Sequence, residues 1–210
     1  MTYKTIGVIG DSISNGYWDG DGKGGWFGRL AERLTQEQPG QFGFNNMAQE
    51  GDRVADVFHR FASEATSRSL DVIIIAVGCN GVIRSPEKNS PLDLSPHLRY
   101  EYWQKLLTLS NQNPATVVVL DILPVLEARY PSVGSGNVPC FECNDDVEAY
   151  NLQIEELCDQ YKIHFFKRYD KWTQRDLSLY YIDTVHPNAD GHQIIADEVY
   201  SFLKENKIIP

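Results

Sequence analysis

Several short stretches of this 210-residue chain carry side chains able to do nucleophilic or acid–base chemistry. Gly10-Asp11-Ser12-Ile13-Ser14 offers a serine hydroxyl directly behind an apolar run. Asp183-Thr184-Val185-His186-Pro187 offers an imidazole with a carboxylate one helical turn ahead of it. A serine hydroxyl is a weak nucleophile and needs a base to accept its proton. Histidine side chains, which ordinarily titrate near ~6.5, suit that task around neutral pH. A carboxylate at the spacing of Asp183 can hold the ring in one tautomer and stabilise the imidazolium. Ser12, His186 and Asp183 are therefore the candidate nucleophile, base and orienting acid. The plain alternative for His186 is a residue capping the last helix. His59 and His97 lie in helix patterns, His164 in a strand and His192 inside the last helix, so they fit less well.

These groups need elements to bring them together. Apolar runs predict strands at Thr5–Ile9, Asp71–Val77, Ala115–Ile122 and Ile163–Phe166, and the less apolar Phe42–Met47 reads as a further strand. Helical spacing of apolar residues predicts helices at Trp26–Glu37, Val54–Ala65, Ser95–Gln112, Asn144–Tyr161 and Ala189–Glu205. Ser95 reads as an N-cap with Pro96 in the first turn, and Asn144 or Asp145 as the cap of the next helix. Ile194, Ile195, Val199 and Phe202 are expected to face inward from the last helix. Strand–helix alternation with continuously apolar strands implies a parallel sheet covered on both faces, a three-layer α/β/α sandwich. The whole chain, 1–210, reads as a single domain. The one long irregular stretch, Leu123–Cys143, has the character of a lid or binding loop.

In open α/β sheets, ligands bind beyond the carboxyl ends of the strands. There this sequence places Ser12, then Asn46 to Gly51, then Gly78-Cys79-Asn80-Gly81, then Pro124-Val125, with Asp183 and His186 before the last helix. These blocks, in this order, resemble the SGNH, or GDSL-like, hydrolase superfamily. Its initials correspond to Ser12, Gly51, Asn80 and His186. The resemblance implies a flavodoxin-like, five-stranded parallel sheet and hydrolysis of acyl esters or related bonds. It also implies an oxyanion hole made by the backbone N–H of Ser12, the backbone N–H of Gly51 and the side-chain amide of Asn80. Such donors stabilise the charge of a tetrahedral intermediate. Taken alone, Gly51 could equally be a turn glycine and Asn80 a cap.

The sequence departs from the family at one position. The third block usually reads Gly-x-Asn-Asp, and here Gly81 follows Asn80, so a carboxylate that could steady the loop is missing. The Gly-x-Ser-x-Gly elbow of the larger α/β-hydrolases is absent, which argues against that fold. Ile13, Tyr17, Trp18 and Pro124 are candidate walls of a substrate pocket, against the alternative that the two aromatics pack on their own loop. Asp19, Asp21 and Gly22 faintly echo a calcium loop, but the later ligands do not follow. Gly22-Lys23-Gly24-Gly25 lacks the preceding strand and the following Ser or Thr of a phosphate loop.

Composition narrows the classes. Apolar residues are 42% and charged residues 23%, an ordinary soluble balance. A net charge of −10, with no basic stripe, disfavours nucleic acid and anionic lipid. No apolar run approaches the ~20 residues of a membrane span, and the N-terminus shows no leader pattern. A cytoplasmic location is the expectation. Of four cysteines, Cys79 and Cys158 read as buried thiols, and Cys140-Phe-Glu-Cys143 as a loop staple or plain thiols ahead of a redox or metal pair. No metal or cofactor is called for. The leading expectation is a serine hydrolase cleaving small to medium acyl esters through an acyl-enzyme, with esterase, lipase, lysophospholipase-like or thioesterase substrates. A carbohydrate O-acetylesterase is the alternative within the superfamily. A non-catalytic flavodoxin-like module binding a small molecule is the alternative outside it.

Overall fold

Val72, Ile73, Ile74 and Ile75 are all buried, as a strand covered on both faces requires. The computed structural model describes residues 3–129, 131–133 and 137–210. The expectation for the N-terminus includes Met1 and Thr2, and that for the long loop includes residues 130 and 134–136; these lie outside the described residues. Along the chain run β1 (Lys4–Gly10), α1 (Ser12–Asn15), α2 (Gly25–Glu37), β2 (Phe42–Asn46), α3 (Val54–Glu64), β3 (Val72–Ala76) and α4 (Pro96–Asn111). There follow β4 (Thr116–Leu120), β5 (Ser132–Val133), β6 (Pro139–Cys140), α5 (Asn144–Tyr161), β7 (His164–Phe166), α6 (Tyr169–Thr173) and α7 (Ala189–Glu205).

The main sheet has five parallel strands in the order β2-β1-β3-β4-β7. Alternate residues serve opposite faces. Ile9, Ile73, Ile75, Val117 and Val119 meet α3, α4 and α5 in one core. Ile6, Val8, Val72, Ile74, Val118 and Leu120 meet α2 and α7 in the other. The expected three-layer sandwich is thus built on β1, β3 and β4, buried on both sides, with β2 and β7 half-buried at the sheet edges. The chain leaves β1 for β2 on one side and returns to β3 on the other. Strand order therefore reverses beside β1, the place at the carboxyl ends where open α/β sheets bind their ligands.

Ser95 caps α4 as expected, accepting from the Leu98 N–H at 3.4 Å. Other details differ. Cys143 occupies the cap position of α5, because the Asn144 amide is drawn to the N–H and carbonyl of Val125, both at 2.9 Å. The buried stripe of α7 includes His192, Ile195, Ala196, Val199 and Leu203, leaving Ile194 and Phe202 half-buried at its edge. Leu123–Cys143 is not wholly irregular: it holds a 3-10 turn at Glu127–Arg129 and the antiparallel ribbon β5–β6. All four cysteines are free thiols. Among the described residues, no helix is long and apolar enough to cross a membrane.

Candidate active site

Ser12 is the first residue of α1, one helical turn set on the carboxyl end of β1. Asp11 caps that turn, its carboxylate accepting from the Ile13 N–H at 3.1 Å. Gly16 ends the turn at φ +89°, and a Cβ there would stand 2.5 Å from the Gly25 nitrogen. That tight start and stop fixes where the Ser12 hydroxyl stands.

His186 arrives on the loop before α7. Its Nε2 lies 2.9 Å from Ser12 Oγ, and its Nδ1 lies 2.6 Å from Asp183 Oδ2. With Nδ1–H donating to the carboxylate, Nε2 is left to accept from the hydroxyl. Asp183 Oδ1 also accepts the backbone N–H groups of His186, at 2.7 Å, and Val185, at 2.9 Å. Burial pushes the Asp183 carboxyl up, but these hydrogen bonds outweigh it and hold it below its ordinary value. The chain of three groups can pass the serine proton to the ring and leave the carboxylate ionised.

Asn80 follows β3 in a 3-10 turn, Cys79–Val82. One N–H of its amide donates to the Asp52 carbonyl at 3.0 Å, which leaves the other to a ligand. Gly51 precedes that carbonyl. Its φ of +80° favours glycine, although a Cβ there would meet nothing within 4 Å. The N–H groups of Ser12 and Gly51 enter no hydrogen bond among the described residues. Gly81 stands where the family pattern has a carboxylate. A Cβ there would lie 3.2 Å from Tyr150 Cε1 and 3.6 Å from Arg99 Cδ, so a ring and a guanidinium stem support this turn instead.

The four candidate pocket residues separate. The Tyr17 ring lies 4.9 Å from the His186 ring, and Trp18 meets Tyr17 edge-on at 5.2 Å. With Asn15 and Glu50 they edge an open depression of about 330 Å³. Ile13 instead lines a small internal cavity of about 30 Å³ with Asp11, Ser14 and Cys79. Pro124 is buried, its carbonyl accepting from the Tyr181 hydroxyl at 2.8 Å. Its segment backs the histidine loop, since the Leu126 N–H donates to the Thr184 carbonyl at 2.8 Å.

Three further residues shape the site. Asp11 carries a carboxyl that burial pushes up to about 6, against the pull of the Ile13 N–H and of His186. Buried His192 meets the Tyr17 carbonyl through Nε2 at 3.2 Å; its place on the inward stripe of α7 is the one signal in the sequence. Asp19, the faint calcium ligand, binds Arg29 at 2.6 Å and the Gly25 N–H at 2.9 Å. Burial opposes ionisation of Asp19, but the Arg29 guanidinium prevails and holds the carboxyl well below its ordinary value. Burial pushes the thiols up, Cys79 far above its ordinary value and Cys158 to about 12, so neither is a ready nucleophile at neutral pH.

In sequence, the uncharacterized protein YpmR of Bacillus subtilis (strain 168) is 22% identical, over 95% of this chain and 81% of its own length. In structure, the acetyl xylan esterase AlAXEase matches with TM-score 0.76 and 19% identity, over 95% of this chain and 99% of its own. The lipase/acylhydrolase from Enterococcus faecalis matches with TM-score 0.75 and 15% identity, over 97% and 96%. Axe2, an acetylxylan esterase from Geobacillus stearothermophilus, matches with TM-score 0.73 and 15% identity, over 97% and 94%. These likenesses are of fold. The GDSL-like Lipase/Acylhydrolase family model matches residues 8–194, from within β1 into α7, and so spans every strand end described above. By that match the chain belongs to the GDSL-like lipase/acylhydrolase family and is a hydrolase acting on esters.

Proposed function

We propose that residues 1–210 form one hydrolase domain in which Ser12 is the nucleophile, His186 the general base and Asp183 its orienting acid. The observation that carries this reading is the pair of contacts at 2.9 Å and 2.6 Å linking Ser12, His186 and Asp183. Ser12 Oγ attacks the ester carbonyl carbon while its proton passes to His186 Nε2. The N–H groups of Ser12 and Gly51 and the Asn80 amide receive the oxyanion. Collapse returns the proton to the leaving alcohol and leaves an acyl group on Ser12. Water, deprotonated by His186, then releases the acid.

The substrates are esters of small to medium acyl groups, lysophospholipid-like or thioester compounds included. Tyr17 and Trp18 wall the approach to His186, whereas Ile13 and Pro124 act from behind. A second reading, an O-acetyl carbohydrate, is favoured by one observation. Two exposed aromatic rings beside the histidine offer flat faces to a sugar. The acetyl xylan esterases of the same fold act in its support.

The test is an ester panel varying acyl length and alcohol, run with fluorophosphonate labelling. Wild type is expected to turn over esters and to label on Ser12. Asn80→Ala is expected to lose ~10²–10³ in kcat, as oxyanion donors do. Absence of both labelling and turnover in folded protein would favour the non-catalytic binding module.

A further inference from the structure

Arg60 has no part in that chemistry, yet its guanidinium ties the loop behind β2 to the end of β1. It stands on α3, mostly buried, with side-chain exposure of 13%. Nε donates to Asp52 Oδ2 at 2.7 Å, and Nη2 lies 2.5 Å from the same oxygen. Nη1 donates to the Met47 carbonyl at 2.5 Å and to Glu64 at 3.0 Å, one turn along the helix. Nη2 also donates to the Gly10 carbonyl at 3.3 Å.

Three of these acceptors lie on the segments that carry the proposed oxyanion donors; Glu64, on α3 itself, does not. Gly10 is two residues before Ser12 and ends β1. Met47 follows β2 and leads into the Gly51 loop. Asp52 follows Gly51, and its carbonyl takes the Asn80 amide at 3.0 Å. A guanidinium is a rigid planar fork, so acceptors bound to its separate N–H groups are held at fixed separations. A lysine ammonium could neutralise Asp52 but could not span the carbonyls in this geometry.

We propose that Arg60 is a positioning residue that sets the spacing of the Ser12, Gly51 and Asn80 donors. This rests on the oxyanion assignment above. Removing the fork lets the Gly51 loop and the Asp52 carbonyl drift relative to Ser12. Donors aimed at a developing charge tolerate little displacement, since about 1 Å can cost about a hundredfold in rate.

The test compares wild type with Arg60→Met and Arg60→Lys. Arg60→Met is expected to lower kcat about ten- to a hundredfold with KM changed less than about threefold. Affinity for a trifluoromethyl ketone, which presents an oxyanion once Ser12 adds to it, should fall in step with kcat/KM. Affinity for the alcohol product should not, because it presents no oxyanion to these donors. Arg60→Lys should fall between, and methylguanidinium added to Arg60→Ala should restore part of kcat. A folded Arg60→Met with kcat within about twofold of wild type overturns the proposal. Equal losses for ketone and product overturn it too, since they signal general disorder. Should Arg60→Met fail to fold, Asp52→Asn decides: it weakens the charged link but keeps the carbonyl that Asn80 uses. A lower kcat with weakened ketone binding supports the proposal, and wild-type values for both overturn it. An inactive, unlabelled wild type sinks the functional reading instead, so the two failures are distinguishable.

Discussion

Asp183 binds His186 at both the ring and the backbone N–H, so one carboxylate sets the tautomer and the shape of the loop. Asp183→Asn can keep the backbone contacts while presenting the wrong partner to Nδ1. It is expected to lower kcat by about 10⁴ with little change in stability. Wild-type turnover in that variant would contradict the orienting role. A general base must be unprotonated to act, so activity should rise from acid to neutral pH, while, against the push of burial, hydrogen bonds from His186 and Val185 hold the Asp183 carboxyl below its ordinary value. Asp11 makes a separate claim about stability. Its folded carboxyl keeps a proton up to about 6, whereas its ordinary value is 3.8. The folded state then binds more protons between those values, so this group lowers stability as pH rises through that window. Asp11→Asn keeps an acceptor for the Ile13 N–H and removes the titration. Its advantage over wild type should grow from below about pH 4 to about 3 kcal/mol at pH 7. Denaturant melts at both pH values check this, and a pH-independent difference would contradict it.

The loop between α1 and α2 is ordered by charge rather than by an apolar stripe. Asp19 and Arg29 form a pair with side-chain exposures of 2% and 3%, and the same carboxylate takes the Gly25 and Lys23 N–H groups. Asp19→Ala would leave a buried guanidinium without its main partner. A loss of about 3–5 kcal/mol is expected by thermal or denaturant melting. Because Tyr17 and Trp18 precede this anchor, KM should rise more than kcat falls. A variant with unchanged stability would show that the pair is not what holds the loop. Such details explain what was legible in the sequence. The strand runs and helix stripes were readable because burial on both faces demands β-branched continuity, and burial on one face demands a period near 3.6. The Asn144 turn toward Val125 was not, since a side chain that can cap a helix can also satisfy a neighbouring loop. The β5–β6 ribbon is two residues per strand, too short for any periodic signal.

Across the molecule, Ser12 and His186 meet over 174 positions of sequence because β1 and the α7 loop reach the same end of the sheet. That convergence was readable from the order of the blocks and the rule for strand ends. The residues that steady it were not. Arg60 reaches Gly10 over 50 positions and His192 reaches Tyr17 over 175, and each reads locally as an ordinary member of its helix. In the sequence alone, Gly81 reads as a missing carboxylate. In the fold, Tyr150 and Arg99 hold that ground from α5 and α4, which no local pattern announces. The central claim is that ester cleavage passes through an acyl group on Ser12. Rapid quenching during turnover of an activated ester, followed by peptide mass spectrometry, tests it most directly. The proposed mechanism predicts an acyl adduct on Ser12 that Ser12→Ala lacks, with kcat reduced on the order of 10⁶ in that variant. Turnover at wild-type rate in Ser12→Ala, or an adduct on another residue, would contradict it.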